Sequence, residues 1–83
     1  MGLVDISSSN QLQSQKGFVV LFFWADWSKP CGQLNEIFSK LASQHTHLVF
    51  AKVEAEKVPE ISEKYAIEAV PHFLFLKVYL PKF

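Results

Sequence analysis

The consecutive apolar residues Phe18-Val19-Val20-Leu21-Phe22-Phe23-Trp24 constrain what this chain can fold into more than any other feature. A half-exposed strand alternates apolar with polar residues, and a surface helix keeps a polar side. An unbroken run fits a strand covered on both faces, as in α/β sheets. Counted through Ala25, it has eight residues, too few to span a bilayer.

The rest of the sequence supplies elements to cover that strand. Leu3-Val4-Asp5-Ile6 predicts a short strand. Ser7-Ser8-Ser9-Asn10 predicts a turn and a helix N-cap, with a helix over 10–15 that Lys16-Gly17 closes. Residues 30–44 carry Leu34, Ile37, Phe38, Leu41 and Ala42 at helical spacing, as one apolar stripe. Ser28 is the expected N-cap. Pro30 is tolerated in the first turn, where its missing N–H has no intrahelical partner. Leu48-Val49-Phe50-Ala51-Lys52-Val53 predicts a third strand. Residues 58–67 predict a third helix, with Ile61 and Tyr65 one turn apart and Glu60 and Lys64 in the favourable i, i+4 order. Val70-Pro71 breaks the chain before a fourth strand, His72-Phe73-Leu74-Phe75-Leu76-Lys77. The order βαβαβαβ predicts an α/β layer fold with right-handed crossovers.

Composition narrows the function. A chain of 83 residues makes one domain with a thin core, burying roughly 60% of its unfolded surface. Its 49% hydrophobic content, with eight Phe, is too apolar for a disordered chain. Eight Lys, no Arg and eight acids leave no basic excess to bind phosphates, which argues against nucleic acid. The single Cys31 excludes an intrachain disulfide and a multi-cysteine zinc site. The start, Met1-Gly2-Leu3-Val4-Asp5, lacks the basic and long apolar regions of a secretory signal. The expectation is a small soluble intracellular domain.

The segment that carries chemistry is Trp24-Ala25-Asp26-Trp27-Ser28-Lys29-Pro30-Cys31, which joins the buried strand to a helix N-terminus. It resembles the thioredoxin active-site loop, a W-A-x-W followed by C-x-x-C. Ala69-Val70-Pro71-His72-Phe73 resembles the loop that carries the cis-proline of that family. Lys52-Val53-Glu54-Ala55-Glu56, with Pro59-Glu60-Ile61-Ser62-Glu63-Lys64-Tyr65, is similar to the N-terminal thioredoxin domain of multidomain monothiol glutaredoxins. The resemblance covers about residues 3–77. It implies a thioredoxin-like fold, a cis Val70–Pro71 bond, a cytoplasmic and nuclear location, and a role in iron–sulfur and redox homeostasis. Glutathione and a 2Fe–2S cluster are implied only for glutaredoxin domains, which this sequence does not include. No cofactor is implied for this chain.

A thioredoxin works with two thiols. The first, at the helix N-terminus, is stabilised as a thiolate by the partial positive charge there and attacks a substrate disulfide. The second resolves the mixed disulfide. Ser28 stands at the first position. A hydroxyl is a poor nucleophile without a base, and it forms no disulfide. Cys31 remains, at the resolving position. At about 100° per residue it falls beside Leu34 and Phe38 on the apolar stripe, so burial is expected. Phe22 occupies the position of the family's buried acid. Nucleophile and proton partner are missing together, which favours a protein-interaction module over a dithiol enzyme.

Each candidate has a plainer reading. Cys31 reads as a catalytic or redox-sensing thiol, or as a small buried hydrophobe. Ser28 reads as a helix cap or as a contact for a partner. Trp24 ends a buried strand and reads as core, whereas Trp27, in the loop, reads as core or as an exposed anchor. Lys29 and Pro30 complete the loop. His72 approaches Cys31 only if it faces that loop, and its place at a strand start turns it away. His45 and His47 lie at a helix end without further ligands, so no metal site is expected. Glu54, Glu56, Glu60 and Glu63 read as a solvated acidic face.

Past Lys77 the thioredoxin pattern continues with a tight turn, a fifth strand and a last helix. Residues 78–83, Val78-Tyr79-Leu80-Pro81-Lys82-Phe83, read instead as a divergent apolar tail. The expected fold is therefore a truncated thioredoxin-like domain over 1–77, lacking the last strand and helix. The fourth strand becomes an apolar edge and one sheet face an apolar patch, which favours self-association. Three functions follow: a redox-inactive interaction domain of a monothiol glutaredoxin system with protein partners, a glutathione-dependent monothiol oxidoreductase acting through Cys31, or a nonfunctional truncated isoform.

Overall fold

The computed structural model describes residues 3–15 and 17–78. Its elements are β1 (Leu3–Ile6), α1 (Ser9–Gln13), β2 (Gly17–Trp24), α2 (Lys29–Gln44), β3 (Val49–Glu54), α3 (Pro59–Lys64) and β4 (His72–Val78). The strands form one sheet in the order β1-β3-β2-β4. β1 and β2 flank β3 in parallel, and β4 runs antiparallel to β2. Of the tail expected over 78–83, Val78 closes β4, and 79–83 lie outside the described residues.

The apolar run forms the central strand, as its composition requires. Val19, Leu21 and Phe23 point to one face, with Ile6, Ala51 and Val53 beside them and Leu12 of α1 and Ile61 of α3 above. Phe22 points to the other face, where Phe38 and Ala42 of α2 meet Phe50 of β3. Phe18, at the start of the run, does not follow the pattern. It is half exposed, with Lys77 Nζ 5.4 Å from its ring centroid.

Local chemistry sets the element ends. The Ser8 hydroxyl accepts a hydrogen bond from Gln11 N–H at 3.1 Å, which starts α1 one residue earlier than the sequence predicts. Gly17 opens β2 rather than closing the helix. Its φ of +90° is a conformation that side chains rarely adopt. α3 stops at Lys64, three residues short of the expected end, because the chain turns at Ala66 with φ of 53°. Glu60 serves α1 as well: its Oε2 accepts from Ser9 N–H at 3.1 Å.

The stripe on α2 is wider than the sheet it covers. Phe38 and Ala42 are buried and Leu34 is half buried, but Ile37 and Leu41 are exposed. On the same side of the sheet, Phe73 and Phe75 stand opposite Phe22 and Val20 and remain exposed. No helix among the described residues is long and apolar enough to cross a membrane.

Candidate functional site

The site lies where β2 and β3 end and the cis Val70–Pro71 bond turns the chain into β4. Trp24 is the last residue of β2, in register with Glu54 of β3. Ala55 N–H donates to Trp24 O at 2.9 Å and carries that pairing one step further. Ala25 is then buried, and Asp26 and Trp27 turn out into solvent. Ser28 N–H donates to Ala25 O at 3.2 Å, which closes the turn before α2.

Ser28 occupies the N-cap of α2 and is 7% exposed, but its hydroxyl makes no cap hydrogen bond. The expectation of a capping side chain is corrected: the backbone does the work, with Ser28 O accepting from Cys31 N–H at 3.1 Å. Lys29 and Pro30 are exposed in the first turn.

Cys31 is 1% exposed and packs in the cluster of Phe22, Phe38, Ala42 and Phe50, with Leu34 and Trp24 at its border. Packed there, the Cys31 side chain is closed off from the surface. His72 stands on the opposite face of the sheet from Phe22, with its ring centroid 6.2 Å from that of Phe23. The β-strand alternation thereby separates His72 from Cys31.

The two tryptophans divide the roles the sequence left open. Trp24 is half buried against the Cys31 cluster, and Lys52 Nζ lies 4.9 Å from its ring centroid. Its Nε1 is buried without a hydrogen-bond partner among the described residues. Trp27 is 67% exposed, and its Nε1–H donates to Glu56 Oε2 at 3.0 Å. Glu56 N–H in turn donates to Glu54 Oε1 at 2.9 Å. Glu56 is exposed, as read from the sequence, and in addition holds Trp27, while Glu54 holds the Glu56 backbone. The signal for it was available, since Trp27 and Glu56 each follow shortly after the paired ends of neighbouring parallel strands.

Trp27 and Glu56 form one wall of a cavity of about 190 Å³. Ala25 and Ala55 also line it, and Ile67, Glu68, Ala69 and Val70 bring in the segment before the cis bond. The Ser62 hydroxyl, also in the lining, is engaged with Ala55 O at 2.8 Å. The structure thus brings Trp27 and Val70 together at one cavity, and Val70 also borders the buried cluster that holds Cys31. The arrangement can hold an apolar side chain at the surface; it does not present a thiol there.

Comparison with known proteins identifies the family and the fold. The profile of the family described as Thioredoxin matches residues 3–79. Human Glutaredoxin-3 is 50% identical over 78 residues, which are 88% of this chain and 23% of that protein. Monothiol glutaredoxin-S11 of rice (Oryza sativa subsp. japonica) is 42% identical over 76 residues, 88% of this chain and 16% of that protein. The chain therefore spans a quarter or less of these relatives' length. The crystal structure of Schistosoma mansoni thioredoxin superposes with a TM-score of 0.82 at 30% identity, covering 92% of this chain and 74% of that one.

Proposed function

This chain belongs to the thioredoxin family, and on that premise we propose that it is an interaction domain, redox-inactive as a dithiol enzyme, within a monothiol glutaredoxin system of iron–sulfur and redox homeostasis. The observation that carries the reading is the burial of Cys31, 1% exposed, just after a loop in which Ser28 stands at the position of a first thiol. Thiol exchange needs a thiolate that can reach a substrate sulfur in line. Here the first position holds a hydroxyl, on a residue only 7% exposed, and the thiol is packed against Phe22 and Phe38.

The surface that remains suits binding. Trp27 is a rigid exposed aromatic, of the type enriched among residues that dominate interface energy. Its hydrogen bond to Glu56 fixes its orientation beside the cavity ahead of any partner, which lowers the entropy lost on association. Similarity to the thioredoxin-like domains of glutaredoxins supports placing the partner in that system.

The test is directed at the rival thiol chemistry. The native chain is incubated with glutathione disulfide and its intact mass is measured. The reading expects an unmodified chain over a time that fully modifies the same chain in denaturant. Stoichiometric glutathione addition to Cys31 in the folded state would reject it in favour of a glutathione-dependent monothiol oxidoreductase.

A further inference from the structure

The lining of the cavity beside Trp27 has a charge character as well as a shape. Glu56 and Glu68 are among its lining residues, and no lysine among the described residues is. Asp26 stands exposed next to it in the loop. Lys29, two residues after Trp27, and Lys57, directly after Glu56, are exposed, but neither is among the lining residues. The floor is apolar, made by Ala25, Ala55, Ile67 and Val70.

From this we infer that the groove takes a basic peptide segment, one in which a branched aliphatic side chain adjoins an Arg or Lys. The inference rests on the reading of this groove as the interaction surface and names the chemistry of its partner. The volume suits the aliphatic residue, since a cavity of about 150 Å³ accommodates a benzene ring. The cation meets three complementary groups. Glu56 uses Oε2 to accept from Trp27 and keeps Oε1 for a ligand. Glu68 supplies a second carboxylate from the segment leading to the cis bond. The exposed indole of Trp27 offers a face on which a guanidinium stacks. An acidic segment would meet two carboxylates at the same rim and be repelled.

The experiment uses the ¹⁵N-labelled 83-residue chain and three capped peptides. They are acetyl-Gly-Leu-Arg-Gly-amide and its counterparts with Gln or Glu in place of Arg. Affinity is read from the shift of the Trp27 indole N–H resonance at low and at physiological salt. The Arg peptide is expected to bind tightest and the Glu peptide weakest, with the difference shrinking as salt screens it. The double variant Glu56→Gln, Glu68→Gln is expected to weaken the Arg peptide by about threefold to tenfold and to weaken the Gln peptide clearly less, so that the gap between the two peptides narrows. Glu56→Gln retains a side-chain oxygen to accept from Trp27, so the wall of the cavity is preserved. Glu63→Gln, away from the lining, is the control and should change nothing. Equal binding of all three peptides overturns the charge preference while leaving the groove as an interaction surface. If no peptide moves the Trp27 resonance, the groove reading falls as well.

Discussion

The rings of Phe22 and Phe73 stack across β2 and β4, with centroids 4.8 Å apart and planes 9° from parallel. The two residues are partners in the antiparallel register. Phe22 also meets Phe38 at 5.2 Å, inside the cluster that encloses Cys31. The position at which the resembled family keeps a buried acid is thus a junction of three aromatic rings. It offers Cys31 packing and no proton acceptor. The substitution that removes proton chemistry is the same one that completes the core.

That packing has a measurable weight. Phe22 is fully buried, and its replacement leaves a cavity between β2, β4 and α2. Phe22→Ala is expected to cost about 3–5 kcal/mol in chemical denaturation. A loss below about 1 kcal/mol would show that the ring is not held as described.

Burial of Cys31 predicts its reactivity. Alkylation by iodoacetamide should be at least about tenfold slower in the native chain than in denaturant, because the thiol reacts only on opening. Equal rates, with far-UV circular dichroism showing a folded chain, would contradict the enclosure of the sulfur.

Trp27 should separate binding from stability. It is mostly exposed, so Trp27→Ala removes a cavity wall and one exposed hydrogen bond. The expected loss of stability is about 1 kcal/mol or less, whereas affinity for a ligand of the groove should fall by about tenfold or more. Unchanged affinity would move the interaction surface elsewhere.

The apolar side of β4 predicts association between chains. Phe75 is 68% exposed, and Phe73 and Phe18 are about half exposed on the same face of the sheet. We propose that this face, with the outer edge of β4, drives self-association at micromolar concentration. Phe75→Lys should shift sedimentation toward monomer without changing helix content. A wild-type chain that sediments as a sharp monomer at high micromolar concentration would refute the proposal.

Much of this was legible in the sequence, for physical reasons. The run ending at Trp24 left a strand buried on both faces as its one sensible reading, and helical spacing placed Cys31 beside Phe38. The resemblance located the cis bond. What escaped was tertiary. Ile37 and Leu41 share the apolar period of α2, but periodicity does not reveal how much sheet lies opposite. Ser28 carries the residue type of a cap, but the hydroxyl of this buried residue makes no cap hydrogen bond, and residue type alone does not fix that side chain's direction. Glu56 looked like one of several surface acids, because its bond to Trp27 joins residues 29 positions apart. The end of α3 depended on the positive φ of Ala66, which no residue type there announces.

The central claim is that this loop binds without exchanging thiols, and the reduction of insulin disulfides tests it most directly. With thioredoxin reductase and NADPH, the wild-type chain should show no turnover above the reductase blank. Ser28→Cys should gain partial activity only, because Phe22 supplies no proton transfer to the second sulfur. Wild-type turnover at the rate of a dithiol thioredoxin would contradict the account, since neither Ser28 nor the buried Cys31 can support it.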